Sequence, residues 1–66
     1  MFGERLKTAR EKAGMSQDEV AKKIGVSQAA YSYYESGLKT PLLPVATRLA
    51  SVLHTSLDYL VGNSNN

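Results

Sequence analysis

No cysteine and no tryptophan occur among the 66 residues, and there is one histidine. Without thiols there is no disulfide scaffold, no thiolate zinc site and no cysteine nucleophile. His54 alone cannot build a histidine-rich metal centre, so neither a metal ligand set nor a cofactor is expected. Apolar runs are short as well. Nothing reaches the 18 or more residues that a membrane-spanning helix needs, and the opening residues, Met1 to Arg5, lack an apolar signal core. The expected location is therefore the cytoplasm, with no membrane partner. Charge is scarce too, at a formal +2. Length sets a further limit. There is room for one domain, whose single core supplies only about 3–5 kcal/mol, so a deep enclosed active site is not expected and help from dimerisation is.

The hydrophobic fraction of 42% is ordinary for a folded chain. The small positive excess lies towards the start. Residues 1–40 carry seven basic and five acidic side chains, while residues 41–66 carry only Arg48 and Asp58. That imbalance is too small to argue for a nucleic-acid partner, and solvated helix faces explain it equally well.

Period-two alternation is missing throughout, and helical spacing recurs. Phe2, Leu6, Ala9 and Ala13 make one face of a first helix that stops at Gly14. Ser16 and Glu19 have the spacing of a capping box, with Met15 and Val20 placed as a hydrophobic staple around it. Val20, Ala21 and Ile24 continue that second helix to Gly25. Val26 and a Ser27 cap open a third helix, with Tyr31, Tyr34 and Ala30 inward and Ser36-Gly37 at its end. After a connection containing Pro41, Pro44 fits the first turn of a fourth helix with Val45, Leu49, Val52 and Leu53 on its core side. His54 ends it, where glycine is more usual. Ser56 caps a short fifth helix with Leu57, Leu60 and Val61, stopped by Gly62. Residues 1–62 read as one domain and 63–66 as a frayed tail.

The second and third helices meet across the short Gly25-Val26-Ser27 turn, which is helix-turn-helix spacing. Ala21 is small where the partner helix crosses closest. The segment QDEVAKKIGVSQAAYSYYES resembles the helix-turn-helix of the Xre/Cro/lambda-repressor-like family. The likeness runs on through SGLKTP into LPVATRLASVLHTSLDYLVG and back through GERLKTAREKAGMSQ, covering about residues 3–62. It implies an all-α, compact five-helix lambda-repressor-like domain. By the same likeness, such a protein binds double-stranded DNA as a homodimer and regulates transcription, most often as a repressor. The third helix would lie in the major groove, with the amino end of the second over the backbone. Three positions depart from the family pattern: His54, where glycine is commoner, Leu42, where a Ser-like cap is expected, and Tyr31, where Ile or Val is commoner.

The helical wheel and the family pattern agree on the base-contacting residues, namely Gln28, Ala29, Ser32 and Tyr33. A glutamine amide both accepts from and donates to adenine, and a small apolar side chain suits a thymine methyl. Phosphate contacts are expected from Gln17, Ser27, Ser36, Lys39 and Thr40, with Gln17 also in reach to brace Gln28. Each of these five singly also fits a solvated surface residue. Lys22 and Lys23 read as solvated, on the outer face of the second helix. Arg10 lies beside the apolar stripe, where a cation needs a partner. Glu35, on the inward side of the third helix, is the matching acid, and the family likeness implies the same pairing as a structural salt bridge. Leu57, Tyr59, Leu60 and Val61 are the expected dimer surface, although Leu57 and Leu60 also fit a core.

Two further function classes compete with this reading. The same fold can serve as a partner-binding module under a protein regulator, in the manner of an antitoxin, and a large apolar patch on the last helix would favour that. An enzyme is not expected, since His54 and Asp58 sit at helix ends with no pocket or oxyanion donor set.

Overall fold

A computed structural model describes residues 1–63, so residues 64–66 of the expected 63–66 tail lie outside the described residues, while the Asn63 amide donates to the Asp58 carbonyl at 2.9 Å. Five helices follow in order, α1 (Phe2–Lys12), α2 (Gln17–Ile24), α3 (Gln28–Ser36), α4 (Leu43–Val52) and α5 (Leu57–Val61). Among the described residues there is no strand. The helices pack into a body of about 28 × 23 × 19 Å. α1 lies against α3 and α5, α2 against α3 and α4, and α4 against α5. The α2–α3 pair is thus held on one side by α1 and on the other by α4, which leaves the outer face of α3 open.

Local chemistry sets where most helices begin. At α2 the Ser16 hydroxyl accepts from the Glu19 amide at 3.1 Å, and the Glu19 carboxylate accepts from the Ser16 amide at 2.9 Å. These bonds hold the Glu19 carboxyl below its ordinary value, the bond from the Ser16 amide being the main cause. Ser27 and Ser56 cap α3 and α5 by accepting from Ala30 and Tyr59. α4 begins without a side-chain cap at Leu42, and Pro44 occupies its first turn, where a missing amide leaves no bond unmade.

Helix ends share a motif. At the end of α2, Gly25 turns left-handed at φ 79°. Val26 N–H then reaches back to the Ala21 carbonyl at 3.0 Å. α4 closes the same way without glycine. His54 takes φ 54°, and Thr55 N–H donates to the Ala50 carbonyl at 2.9 Å.

Leu6, Val20, Tyr31, Leu49 and Leu60 are fully buried, with Ile24, Ala21, Ala9, Leu53 and Ala50 around them. Two expectations need correction. Ala13 is exposed, because α1 ends at Lys12 and Ala13 caps it. On α4 the buried stripe is Ala46, Leu49, Ala50 and Leu53, with Val45 and Val52 only partly buried at its margins. The small alanines face inward there, so the branched side chains are displaced to the flanks. Gly3 is buried as well. A Cβ at this position would collide with the Glu35 carbonyl and lie 2.9 Å from that of Tyr34, so α1 rests directly on the backbone of α3.

Candidate nucleic-acid interface

The open face of α3 carries the expected contact residues. Gln28 and Ala29 are exposed in its first turn, with Ser32 half-buried a turn later. The Ser32 hydroxyl donates to the Ala29 carbonyl at 2.8 Å, so what it presents outward is an acceptor. Tyr33 is 38% exposed, and the Lys39 ammonium lies 5.8 Å from its ring centre. That arrangement steadies a large exposed ring next to a positive charge.

The backbone-contact candidates divide by what already engages them. Lys39 and Thr40 are exposed on the connection after α3. Ser27 uses its oxygen as the α3 cap, from the Ala30 amide at 3.1 Å, and keeps its hydroxyl proton to donate. Ser36 is committed to the local turn, donating to the Tyr33 carbonyl at 3.2 Å and accepting from the Leu38 amide at 3.4 Å. Gln17 does not brace Gln28. Its amide donates instead to Glu35 Oε1 at 3.0 Å, in the last turn of α3. Lys22 pairs with Asp18 at 3.2 Å on an exposed face, in keeping with the solvated reading.

Behind this face Arg10 and Glu35 form the expected pair. Arg10 Nε donates to Glu35 Oε2 at 2.6 Å and Nη2 to Oε1 at 3.3 Å, with both side chains largely buried. Arg10 Nη1 also donates to the Met15 carbonyl at 3.0 Å. Two more donors converge on the carboxylate, Gln17 on Oε1 and the Tyr31 hydroxyl on Oε2 at 2.5 Å. A carboxylate offers about four lone-pair sites, so Glu35 is saturated. Burial alone would raise its carboxyl. The bonds from Arg10, Tyr31 and Gln17 outweigh that and hold it below the usual carboxylate range. The bond to Glu35 raises Arg10 in turn, while burial, and then the bond to Glu35, push the Tyr31 hydroxyl up. Neither Tyr31 nor Gln17 was assigned to this pair from the sequence. The Tyr31–Glu35 spacing of one helical turn was readable, whereas the Gln17 contact needs the helix crossing.

Of the four residues expected at a dimer surface on the fifth helix, one is placed in the core. Leu60 is fully buried in the core, so it belongs to the fold of one chain and not to a surface between two. It faces inward because α5 packs on both α1 and α4. Leu57 and Tyr59 are half-buried. The Arg5 guanidinium lies 4.8 Å from the Tyr59 ring centre and donates to the Tyr59 carbonyl at 3.0 Å, docking α5 onto α1. Only Val61 of the four is well exposed, at 47%. The exposed leucines lie elsewhere, at Leu38, Leu42 and Leu43 around the α3–α4 connection.

A helix-turn-helix family model matches residues 6–60. The chain belongs to the helix-turn-helix family. It is 41% identical over 61 residues to YonR of Bacillus subtilis, a prophage-derived uncharacterized HTH-type transcriptional regulator, covering 92% of this chain and 56% of that protein. It is 38% identical over 61 residues to the B. subtilis transcriptional regulator ImmR, covering 92% and 48%. It is 33% identical over 64 residues to the cryptic phage CTXphi transcriptional repressor RstR of Vibrio cholerae, covering 97% and 58%. The chain thus spans about half the length of the curated relatives it matches. Among solved structures it is similar to the P22 c2 repressor crystallised in complex with a synthetic operator. The TM-score is 0.90, with 31% identity and 97% of each chain covered. The five-helix fold is therefore that of the lambda-like repressor DNA-binding domain. In this helix-turn-helix protein α2 and α3 are the motif's two helices. No helix of the described residues is long and apolar enough to cross a membrane, and no group of three potential metal ligands occurs among them.

Proposed function

We propose that residues 1–62 form the DNA-binding domain of a transcriptional regulator. It reads a near-palindromic operator through the major groove as a dimer and acts as a repressor in the cytoplasm. One observation carries this reading, the 0.90 TM-score over 97% of both chains to a repressor in complex with an operator. The chemistry of the open face supports it. Gln28 offers an amide for adenine, Ala29 a methyl-sized contact for thymine, and Tyr33 a broad apolar ring. Ser32 adds an acceptor. Lys39, Thr40 and Ser27 are the backbone candidates, and the first-turn amides of α2 that Ser16 does not cap can donate to a phosphate. Such contacts fix register and affinity without reading sequence. Regulation of this kind needs binding and no bond chemistry, so no catalytic residue is assigned.

Two recognition helices about 34 Å apart would read half-sites one DNA turn apart. Val61, with the outer edge of Tyr59, is the surface of the fifth helix left for self-association. The partner-module reading called for a large apolar patch on the last helix, where Val61 is the exposed apolar side chain and Leu60 is buried. Selection of duplexes from a random pool tests the proposal. The expected winner has dyad symmetry and loses affinity for Gln28→Ala by about 1–3 kcal/mol at a single base position, and also for Tyr33→Ala. No enrichment, or enrichment indifferent to Gln28, overturns direct readout.

A further inference from the structure

Gly3, Lys7 and Arg10 follow one another along one edge of α1, four and three residues apart. Contacts fix both ends of that edge. Gly3 sits against the Tyr34 and Glu35 carbonyls, and Arg10 holds the Glu35 carboxylate. Lys7 therefore lies over the last turn of α3. It lines one open groove with Ser32 and Tyr33, which the proposed function places at the DNA, and with Gln17 and Ser36. The groove also contains Glu35, whose charge Arg10 already matches. Lys7 is exposed and has no ion-pair partner among the described residues. It is thus the unmatched charge of a groove whose other lining groups are polar or apolar.

The geometry points to Lys7 as a DNA-backbone anchor, its ammonium and the remaining amide N–H of Gln17 binding one phosphodiester group between α1 and α3. This rests on the DNA-binding reading and adds to it a contact from the first helix that neither composition nor the recognition helix indicated. A rival role exists for the same charge. A cation beside the carboxy end of α3 interacts favourably with the helix dipole, which would make Lys7 a stability residue alone.

The two roles separate in one experiment on the 66-residue chain. The duplex recovered by selection, and single-base variants of it, are titrated with wild type, Lys7→Gln, Lys7→Arg and the charge control Lys12→Gln. Titrations run from about 50 to 200 mM KCl, and each protein is melted by circular dichroism. The expected result is that Lys7→Gln makes the log–log salt slope shallower by about 0.9 per bound chain. Affinity falls by the same factor on every base variant, Lys7→Arg restores the slope, and Lys12→Gln leaves it unchanged. A wild-type slope for Lys7→Gln, with or without a lower melting temperature, overturns the inference, as does an equal change in Lys12→Gln. If wild type binds and Gln28→Ala weakens it while Lys7→Gln does not, only the anchor falls. If wild type recovers no duplex, the anchor and the function fall together.

Discussion

Replacing the Glu35 carboxylate with an amide removes the charge against which Arg10 was desolvated, yet keeps most of the volume. Breaking one partner of a buried pair costs about 3–5 kcal/mol. The Gln oxygen still accepts, so Glu35→Gln belongs near the lower end of that range. For a core supplying about 3–5 kcal/mol in total, that is most of the stability, and the melting temperature falls by more than about 10 °C. An unchanged melt by circular dichroism would remove the pair from the fold's energetics. The direction of the Glu35 shift sets the pH dependence. Its folded carboxyl lies below the unfolded value of about 4.3. The stabilisation is therefore complete above that pH and is lost as pH falls through the lower folded value. Wild-type melts should drop below about pH 4.3, and Glu35→Gln should drop less over the same interval. A residual drop is expected from Glu19, whose carboxyl is also held low, by Ser16. Arg10 and Glu35 were legible as a pair because each sits on the inward side of its own helix. The donors from Gln17 and Tyr31 were not, since one depends on the helix crossing and the other on a hydroxyl fully withdrawn from water.

Helix boundaries follow local chemistry where a cap exists. Ser16, Ser27 and Ser56 each accept the expected amide, because a cap acts within one turn of its own residue. α1 begins without a side-chain cap at Met1, and α4 lacks the usual residues at both ends, with Leu42 at its start and His54 past its end. The left-handed conformation of His54 costs roughly 1–2 kcal/mol for a residue with a Cβ. Glycine relieves that cost, and its extra freedom in the unfolded chain offsets part of the gain. His54→Gly should therefore raise stability by about 0.5–1 kcal/mol, seen as a melting temperature higher by about 2–8 °C. His54 lies among Ala13, Met15, Lys23, Ser51 and Val52, away from the open face of α3, so DNA affinity should not change. Two of the four residues of the buried α4 stripe differ from the expected set. Valine is more hydrophobic than alanine, but Ala46 and Ala50 face the core because packing selects the face that lets neighbouring helices close in.

At the scale of the whole molecule, charge stays weak. Arg10 and Glu35 cancel, and the excess of +2 remains. Salt-driven binding by one chain should be feeble, so affinity in the proposed assembly depends on two chains together. Val61 is the point at which this can be tested without touching the core. Val61→Gln keeps the charge, does not lower helix propensity and removes exposed apolar surface. Its melt should match wild type within a few degrees. Its operator titration should weaken and lose steepness, with sedimentation tracking the loss of two-chain complexes. Identical titrations would move the dimer contact off the fifth helix.

The order of five helices, their caps and the polar face of α3 were determined by the sequence alone. Caps and helical periodicity are short-range signals that each segment carries within itself. Tertiary structure decided the contacts between segments. It placed Gly3 against the end of α3, turned Gln17 to Glu35, buried Leu60 under α1 and α4, and brought Lys7 beside the recognition helix. Each depends on where two helices cross and how closely they approach, which the side chains of the whole core set together.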